Sequence, residues 1–473
     1  MKYCIVIFFL FLTTQAQSQD CSCLANFSYM VGKVKKNYAG YYDKVTVANQ
    51  QKFDLFTDSL LEVAQKSDKY QCSSILREWL AFFKDKHMTA GIDATGFSDD
   101  AIRQFYTKDV KASFTETQFY QYLENNNEKK DDIEGVWFND TGTYKIGIIR
   151  VPNQNLLSFL AFVIKADSIY WTPGQIKFEI VKEGQKYQTK YFRSKDHSYM
   201  SPIIKKEGDT LSFDTYGKWY KNKEIKSSQT ITKKKANLSP KFTKLGNGIS
   251  MFSLPSFASL EYVKVIDSLI KQNEAILKST KHLIIDLRDN SGGSVLVYEK
   301  LLPYLYTNPI LTEGGTVLAS SDNIENGYSN LHPELSDSLQ RYFKERLSKL
   351  KAHEGEFYKL YPIDTIKLPV VQKYPERVSF LVNRNTGSAA ELFLLEAKQS
   401  KKVKIYGENS AGAVDYTEFI KVKMPCDFFV LYYPACKSLR LPEYPLDNIG
   451  IQPDIKISGN ITDWIDYVQT HTP

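Results

Sequence analysis

The sequence predicts a mixed α/β protein with three textures in order: a helical N-terminal stretch, a β-rich middle and an α/β C-terminal region. Three observations carry this. Up to about residue 125, apolar residues recur at three- and four-residue spacing, as in "FDLFTDSLLEVAQKS" and "CSSILREWLAFFKDK", the period of amphipathic helices. Between about 128 and 240, short alternating runs such as "TYKIGIIRV", "SFLAFVIKA" and "IKFEIV" are separated by Gly, Asn, Asp and Lys, the texture of strands joined by turns. From about 247, unbroken apolar strands alternate with helices, which argues a mostly parallel sheet covered on both faces.

Taken in order, "MKYCIVIFFLFLTTQAQSQ" has a basic start at Lys2, an apolar run from Tyr3 to Leu12 and small residues at Ala16 and Ser18. That is the pattern of a secretory signal peptide over 1–18, about half as long as a bilayer span. A helical domain is expected over 19–127. A β-rich domain over 128–240 reads as a small antiparallel barrel or sandwich. The α/β domain over 241–473 contains the helix "EYVKVIDSLIKQNEAILKS", the strand "HLIIDLR", the helix "VLVYEKLLPYLY", a charged helical excursion at 325–355, the strand "VSFLV" and a helix beginning at Ser388. At 473 residues the chain exceeds the size at which one core stops growing, so several domains are expected.

Composition narrows the classes. The net charge of +7 comes from scattered lysines, with no basic stripe of the kind nucleic-acid partners require. No segment after residue 18 approaches 18 apolar residues, so no transmembrane segment is expected in the mature chain, which is read as exported, periplasmic or extracellular. Five cysteines follow the leader, and an oxidising compartment makes disulfides plausible. Cys426 and Cys436 flank "DFFVLYYPA", read as a strand and its return, and are the favoured pair. Cys72 is assigned to Cys21 or Cys23. The C-x-C of Cys21 and Cys23 lacks a second ligand pair, so no metal is expected.

Two strand-turn-helix units carry the chemistry, "LIIDLRDNSGG" (283–293) and "SFLVNRNTGSAAE" (379–391). Both turns fall at the carboxyl end of a parallel strand, where open α/β sheets bind ligands. Gly292 and Gly293 let backbone N–H groups face a substrate, and the helix start at Ser388 offers the N–H of Ala389. Together these are candidate oxyanion donors. The S-x-x-E spacing of Ser388 and Glu391 is also that of a capping box.

The stretches "LIIDLRDNSGG", "LVNRNTGSAAELF", "YGENSAGA" and "DNIGIQPDI" resemble, in order and interval, the C-terminal processing (tail-specific) serine peptidases, peptidase family forty-one. The resemblance implies a crotonase-like or ClpP-like α/β core, peptide-bond hydrolysis through an acyl-enzyme on Ser388, a peptide or unfolded protein as substrate, and no cofactor. Where the bacterial processing enzymes place a lysine base, this chain has Ala413. The tricorn-core branch instead uses a histidine from the N-terminal domain and an acid near the C-terminus. "FFKDKHMTAGI" resembles its D-x-H-T segment, with Asp85 and His87 in place. Asp447 falls in the acid's register, and Glu443, four residues earlier, is the alternative acid. The resemblance therefore implies a Ser388–His87–Asp447 triad. Where the family usually carries a PDZ module, residues 128–240 show no carboxylate-binding loop. A peptide- or hydrophobic-ligand-binding protein without catalysis, on the same scaffold, is the alternative.

Overall fold

The computed structural model describes residues 21–152, 157–184, 186–195, 197–202, 204–213, 217–222, 239–329, 336–457 and 461–471. The expected leader lies outside them.

Helices at Cys23–Asn37, Gln50–Lys66 and Cys72–Ala81 pack through Phe27, Phe53, Leu76 and Trp79, all buried. The chain then enters β1 (Thr89–Ile92). Nine strands follow two further helices (Asp99–Thr107 and Glu116–Asn125): β2 (Gly135–Asn139), β3 (Lys145–Val151), β4 (Leu157–Lys165), β5 (Ile176–Glu183), β6 (Lys186–Phe192), β7 (Tyr199–Met200), β8 (Ile204–Glu207), β9 (Thr210–Phe213) and β10 (Lys218–Lys221). They form one antiparallel sheet in the order β7-β6-β5-β4-β3-β2-β10-β9-β8. Although β5 and β9 are far apart in that order, the rings of Phe178 and Phe213 meet at 4.9 Å. The sheet therefore curls around its own core of Trp137, Trp171 and Trp219. Phe119, from the last of the preceding helices, covers Phe162 on the outer face.

The remaining strands are β11 (Lys241–Gly246), β12 (Ile249–Ser253), β13 (His282–Asp286), β14 (Ile310–Leu311), β15 (Gly315–Leu318), β16 (Phe357–Tyr361), β17 (Thr365–Ile366), β18 (Arg377–Val382), β19 (Val403–Gly407), β20 (Tyr416–Lys423), β21 (Phe429–Ser438) and β22 (Ile455–Lys456). β12, β13, β18, β19 and β22 run parallel, with β11 antiparallel at one edge. Leu283 and Ile285 enter one core while Ile284 enters the other, and Val378, Phe380 and Val382 oppose Leu381 in the same way. This period of two, buried on both sides, explains the unbroken apolar runs. A second sheet joins β1, β21, β15 and β16, with β20 also on β21. β1 pairs with β21 from Thr89 opposite Tyr432 to Ile92 opposite Phe429, so the N-terminal helical region is woven into the C-terminal sheet.

Two sequence expectations need correction. "VLVYEKLLPYLY" is not one helix but two short 3₁₀ turns, Val295–Val297 and Glu299–Leu301, and one α-turn, Leu302–Leu305. Pro303 has no N–H to bond back toward Glu299, and its ring opposes a continuous helix there. The favoured Cys426–Cys436 pair does not form: Cys21 bonds Cys426, Cys23 bonds Cys72, and Cys436 is a buried free thiol. "FVLYYPACKS" is one strand, β21, with Cys436 on it and Cys426 in the turn before it. The strand from Phe429 to Cys436 alone spans roughly 23 Å, far beyond the reach of a disulfide.

Candidate active site

Ser388 precedes the helix Ala389–Ala397 at φ 54°, ψ −123°. An ordinary N-cap serine sits in the extended region, as Ser22 does at φ −68°, ψ 154°. A seryl residue in the region reserved for glycine is strained, and such strain gathers at functional sites. Its neighbours hold it there. Ser388 N–H donates to Glu391 Oε2 at 3.0 Å, and Gly387 N–H donates to the Asn290 carbonyl at 2.9 Å.

The turn after β13 lies directly against the serine. Gly292 has φ 98°, and a Cβ there would stand 2.7 Å from Ser388 Cβ and 2.8 Å from Ala389 N. A Cβ on Gly293, at φ 137°, would strike the Phe257 carbonyl at 2.0 Å. Both positions accept only glycine for steric as well as conformational reasons. Of the three candidate oxyanion donors, the Gly292 N–H is already engaged, donating to the buried Asn290 Oδ1 at 2.9 Å. The N–H groups of Gly293 and Ala389 have no acceptor among the described residues.

Glu391 is fully buried and joins two loops. Its Oε1 accepts from Ser410 Oγ at 2.6 Å and Gly412 N–H at 2.8 Å, and its Oε2 accepts from Ala413 N–H at 2.8 Å as well as from Ser388. Ala413, the residue standing where a lysine base would be looked for, thus gives its backbone N–H to Glu391. Lys421, on the neighbouring strand, is tied to Asp93 at 2.6 Å, and that bond raises its pKa further from neutrality.

His87 sits in the turn between the helix Cys72–Ala81 and β1. Asp85 shapes that turn: its Oδ1 accepts the His87 N–H at 2.9 Å, and its Oδ2 accepts Tyr38 Oη–H at 2.8 Å. The His87 ring has Nδ1 buried without a hydrogen-bond partner among the described residues, 3.9 Å from Asp85 Oδ1. Burial lowers its pKa, while the Asp447 charge is the largest influence raising it.

Asp447 is bracketed by backbone. Its Oδ1 accepts the N–H groups of Val414 and Asp415 at 3.2 and 3.0 Å, and in return Asp415 Oδ2 accepts the Asp447 N–H at 2.8 Å. Asp447 Oδ2 is buried with no hydrogen-bond partner among the described residues, with Lys44 Nζ at 4.0 Å. Burial first, and the Asp85 charge second, push Asp447 up to about 6, and burial does the same to Asp85. The structure thus gathers Asp85, His87 and Asp447 in one electrostatic cluster. Glu443, the alternative acid, is exposed. Asn290, Asp415 and Tyr38 are parts of this architecture that sequence reading missed; only "DNSGG" carried a hint, since Asn favours turns.

Among the described residues no His, Cys, Asp or Glu cluster could hold a metal, and no helix is long and apolar enough to cross a membrane.

Comparison with known proteins gives the following similarities. No curated protein sequence matches the chain. Among solved structures, mature CPAF bound to lactacystin is 12% identical, covering 92% of this chain and 94% of that one, with a TM-score of 0.46. The photosystem II D1 C-terminal processing protease is 13% identical over 92% and 93%, with a TM-score of 0.38. A lipoprotein from Streptococcus agalactiae is 13% identical over 92% of both chains, with a TM-score of 0.39. The model of peptidase family S41 matches residues 248–457, the segment that holds Ser388, the glycine turn and Asp447. Over these residues the chain is similar to peptidase family S41.

Proposed function

We propose that the protein is an exported serine endopeptidase of the tricorn-core type, acting through Ser388, His87 and Asp447. The observation that carries this reading is the strained Ser388, pressed against the Gly292–Gly293 turn at the start of its helix. A helix cap has no use for that backbone conformation, whereas an exposed nucleophile on a sharp strand-to-helix turn does.

In this reading Ser388 Oγ attacks the scissile carbonyl carbon and its proton passes to His87. The oxyanion that forms lies between the N–H groups of Gly293 and Ala389. Collapse breaks the C–N bond, and His87 returns the proton to the leaving amine. Water then hydrolyses the seryl ester by the same path in reverse roles, which frees the acid and restores Ser388. Asp447 fixes the tautomer: pairing its buried free Oδ2 with the buried free Nδ1 of His87 would satisfy both atoms at once. The other ring nitrogen is then the one that exchanges protons with serine. Export is supported by the leader pattern in the sequence and by two disulfides.

The test is a serine-reactive fluorophosphonate probe with Ser388→Ala as control. Labelling of Ser388 and loss of hydrolysis in a folded Ser388→Ala protein are expected. Undiminished turnover in Ser388→Ala, or no labelling of the folded wild type, would sink the proposal and favour a binding protein.

A further inference from the structure

Among the described residues, the one ring stacked on His87 is Phe419 of β20, at 6.3 Å between centroids and 17° between planes. β20 turns Ile420 and Val422 inward and leaves Phe419, Lys421 and Lys423 outward. Phe419 is 59% exposed, and its ring meets Tyr432 edge-on at 6.0 Å. A single exposed phenylalanine on a strand is ordinary. One lying parallel to the imidazole of the proposed base is placed where substrate must pass.

We propose that Phe419 forms the subsite for the first residue on the leaving-group side of the scissile bond, and that this subsite takes a large apolar side chain. This rests on His87 being the base. The base must hand its proton to the leaving amine across a hydrogen bond of about 3 Å. The Cα of the residue carrying that amine is a further ~1.5 Å away. Its side chain therefore begins about 4–5 Å from the imidazole, the neighbourhood of the Phe419 ring. His87 keeps 14% of its side-chain surface exposed, so the approach is open. Farther along the same face the character changes, to the Lys421–Asp93 ion pair and a cleft of about 250 Å³ lined in part by Asp93, Lys423 and Asp427. The apolar demand is thus confined to the position next to the scissile bond.

The experiment is to digest a reduced, alkylated protein mixture and map the new N-termini by mass spectrometry, since each new N-terminal residue is the one that left past His87. Wild type should enrich Leu, Ile, Met, Phe and Tyr there by about tenfold over Gly and Asp. Phe419→Ala should reduce that ratio to within about twofold, and Phe419→Leu should restore most of it. An unchanged ratio in Phe419→Ala, or a wild type that prefers small or acidic residues, overturns the subsite. Fluorophosphonate labelling separates the two failures: with Ser388 labelled, an unchanged ratio removes only the subsite, and without labelling the enzymatic reading falls and takes the subsite with it.

Discussion

His87 is under opposed influences, burial lowering its pKa and the Asp447 charge first among those raising it, ahead of the Tyr416 backbone and the Glu391 charge, and a base must be neutral to work. Burial wins, so the acid limb of kcat/KM should lie below about 6.5, the ordinary histidine value. Asp447→Asn removes the raising charge and should move that limb to lower pH. It should also cut turnover by roughly 10⁴-fold, the cost of losing a tautomer-fixing acid. Glu443→Gln, at an exposed position, should cost less than about tenfold. Steady-state pH profiles of the two variants decide between the acids, and a reversed ranking would make Glu443 the acid. Stability follows a separate sign. Asp85 and Asp447 are raised to about 6, so the folded state holds their protons more tightly than the unfolded chain does. The stability they contribute is complete below about pH 4 and is lost as pH rises through 6. His87 is lowered, and its contribution is lost in the other direction, as falling pH charges the unfolded chain. Asp85→Asn removes a buried charge that exists only above 6. Its Tm relative to wild type should therefore be more favourable at pH 8 than at pH 4.5, and the opposite order in thermal melts would contradict the assignment.

The helix Ala389–Ala397 shows what one element's sequence can and cannot reveal. The spacing of Ser388 and Glu391 was legible, and the glutamate does reach back to the Ser388 N–H at 3.0 Å. Invisible in that spacing are the donors from Ser410, Gly412 and Ala413, which arrive from a loop some twenty residues away and make Glu391 the post on which two turns are hung. Local periodicity likewise exposed β13 and β18, because parallel strands buried on both faces are apolar throughout. It overextended the helix after Gly293, where Pro303 outweighs the apolar pattern, and it folded β21 back on itself although no Gly or Asn interrupts that run. Glu391→Gln puts an NH₂ donor where an oxygen now accepts two hydrogen bonds. At about 1.5–3 kcal/mol for each bond to a charged group, the variant should lose roughly 3 kcal/mol or more of stability. At temperatures where it remains folded, fluorophosphonate labelling of Ser388 should slow at least tenfold. Labelling at the wild-type rate would mean that Glu391 braces the loop without setting the serine.

Across the whole molecule, the proposed base and its proposed acid and nucleophile come from opposite ends of the chain, and no local pattern could have shown how they are joined. Four of the contacts that do it are the β1–β21 ladder, Asn448 Nδ2 on the Lys84 carbonyl at 2.6 Å, Tyr416 Oη–H on Asp43 at 3.0 Å, and the Cys21–Cys426 disulfide. The disulfide differs from the other three in acting mainly on the unfolded chain. It closes 405 residues of sequence, against 49 for Cys23–Cys72. In the chain-entropy model that ratio alone makes its removal costlier by about 2 kcal/mol. Cys21→Ala with Cys426→Ala should therefore lower the denaturation midpoint more than Cys23→Ala with Cys72→Ala. Below its midpoint the first variant should still label at Ser388 near the wild-type rate, because the ladder and the polar contacts at Lys84 and Tyr416 remain to hold the His87 turn. Slow labelling in a variant whose circular dichroism is native would show that the crosslink itself sets the position of His87, and that the noncovalent joints cannot do so alone.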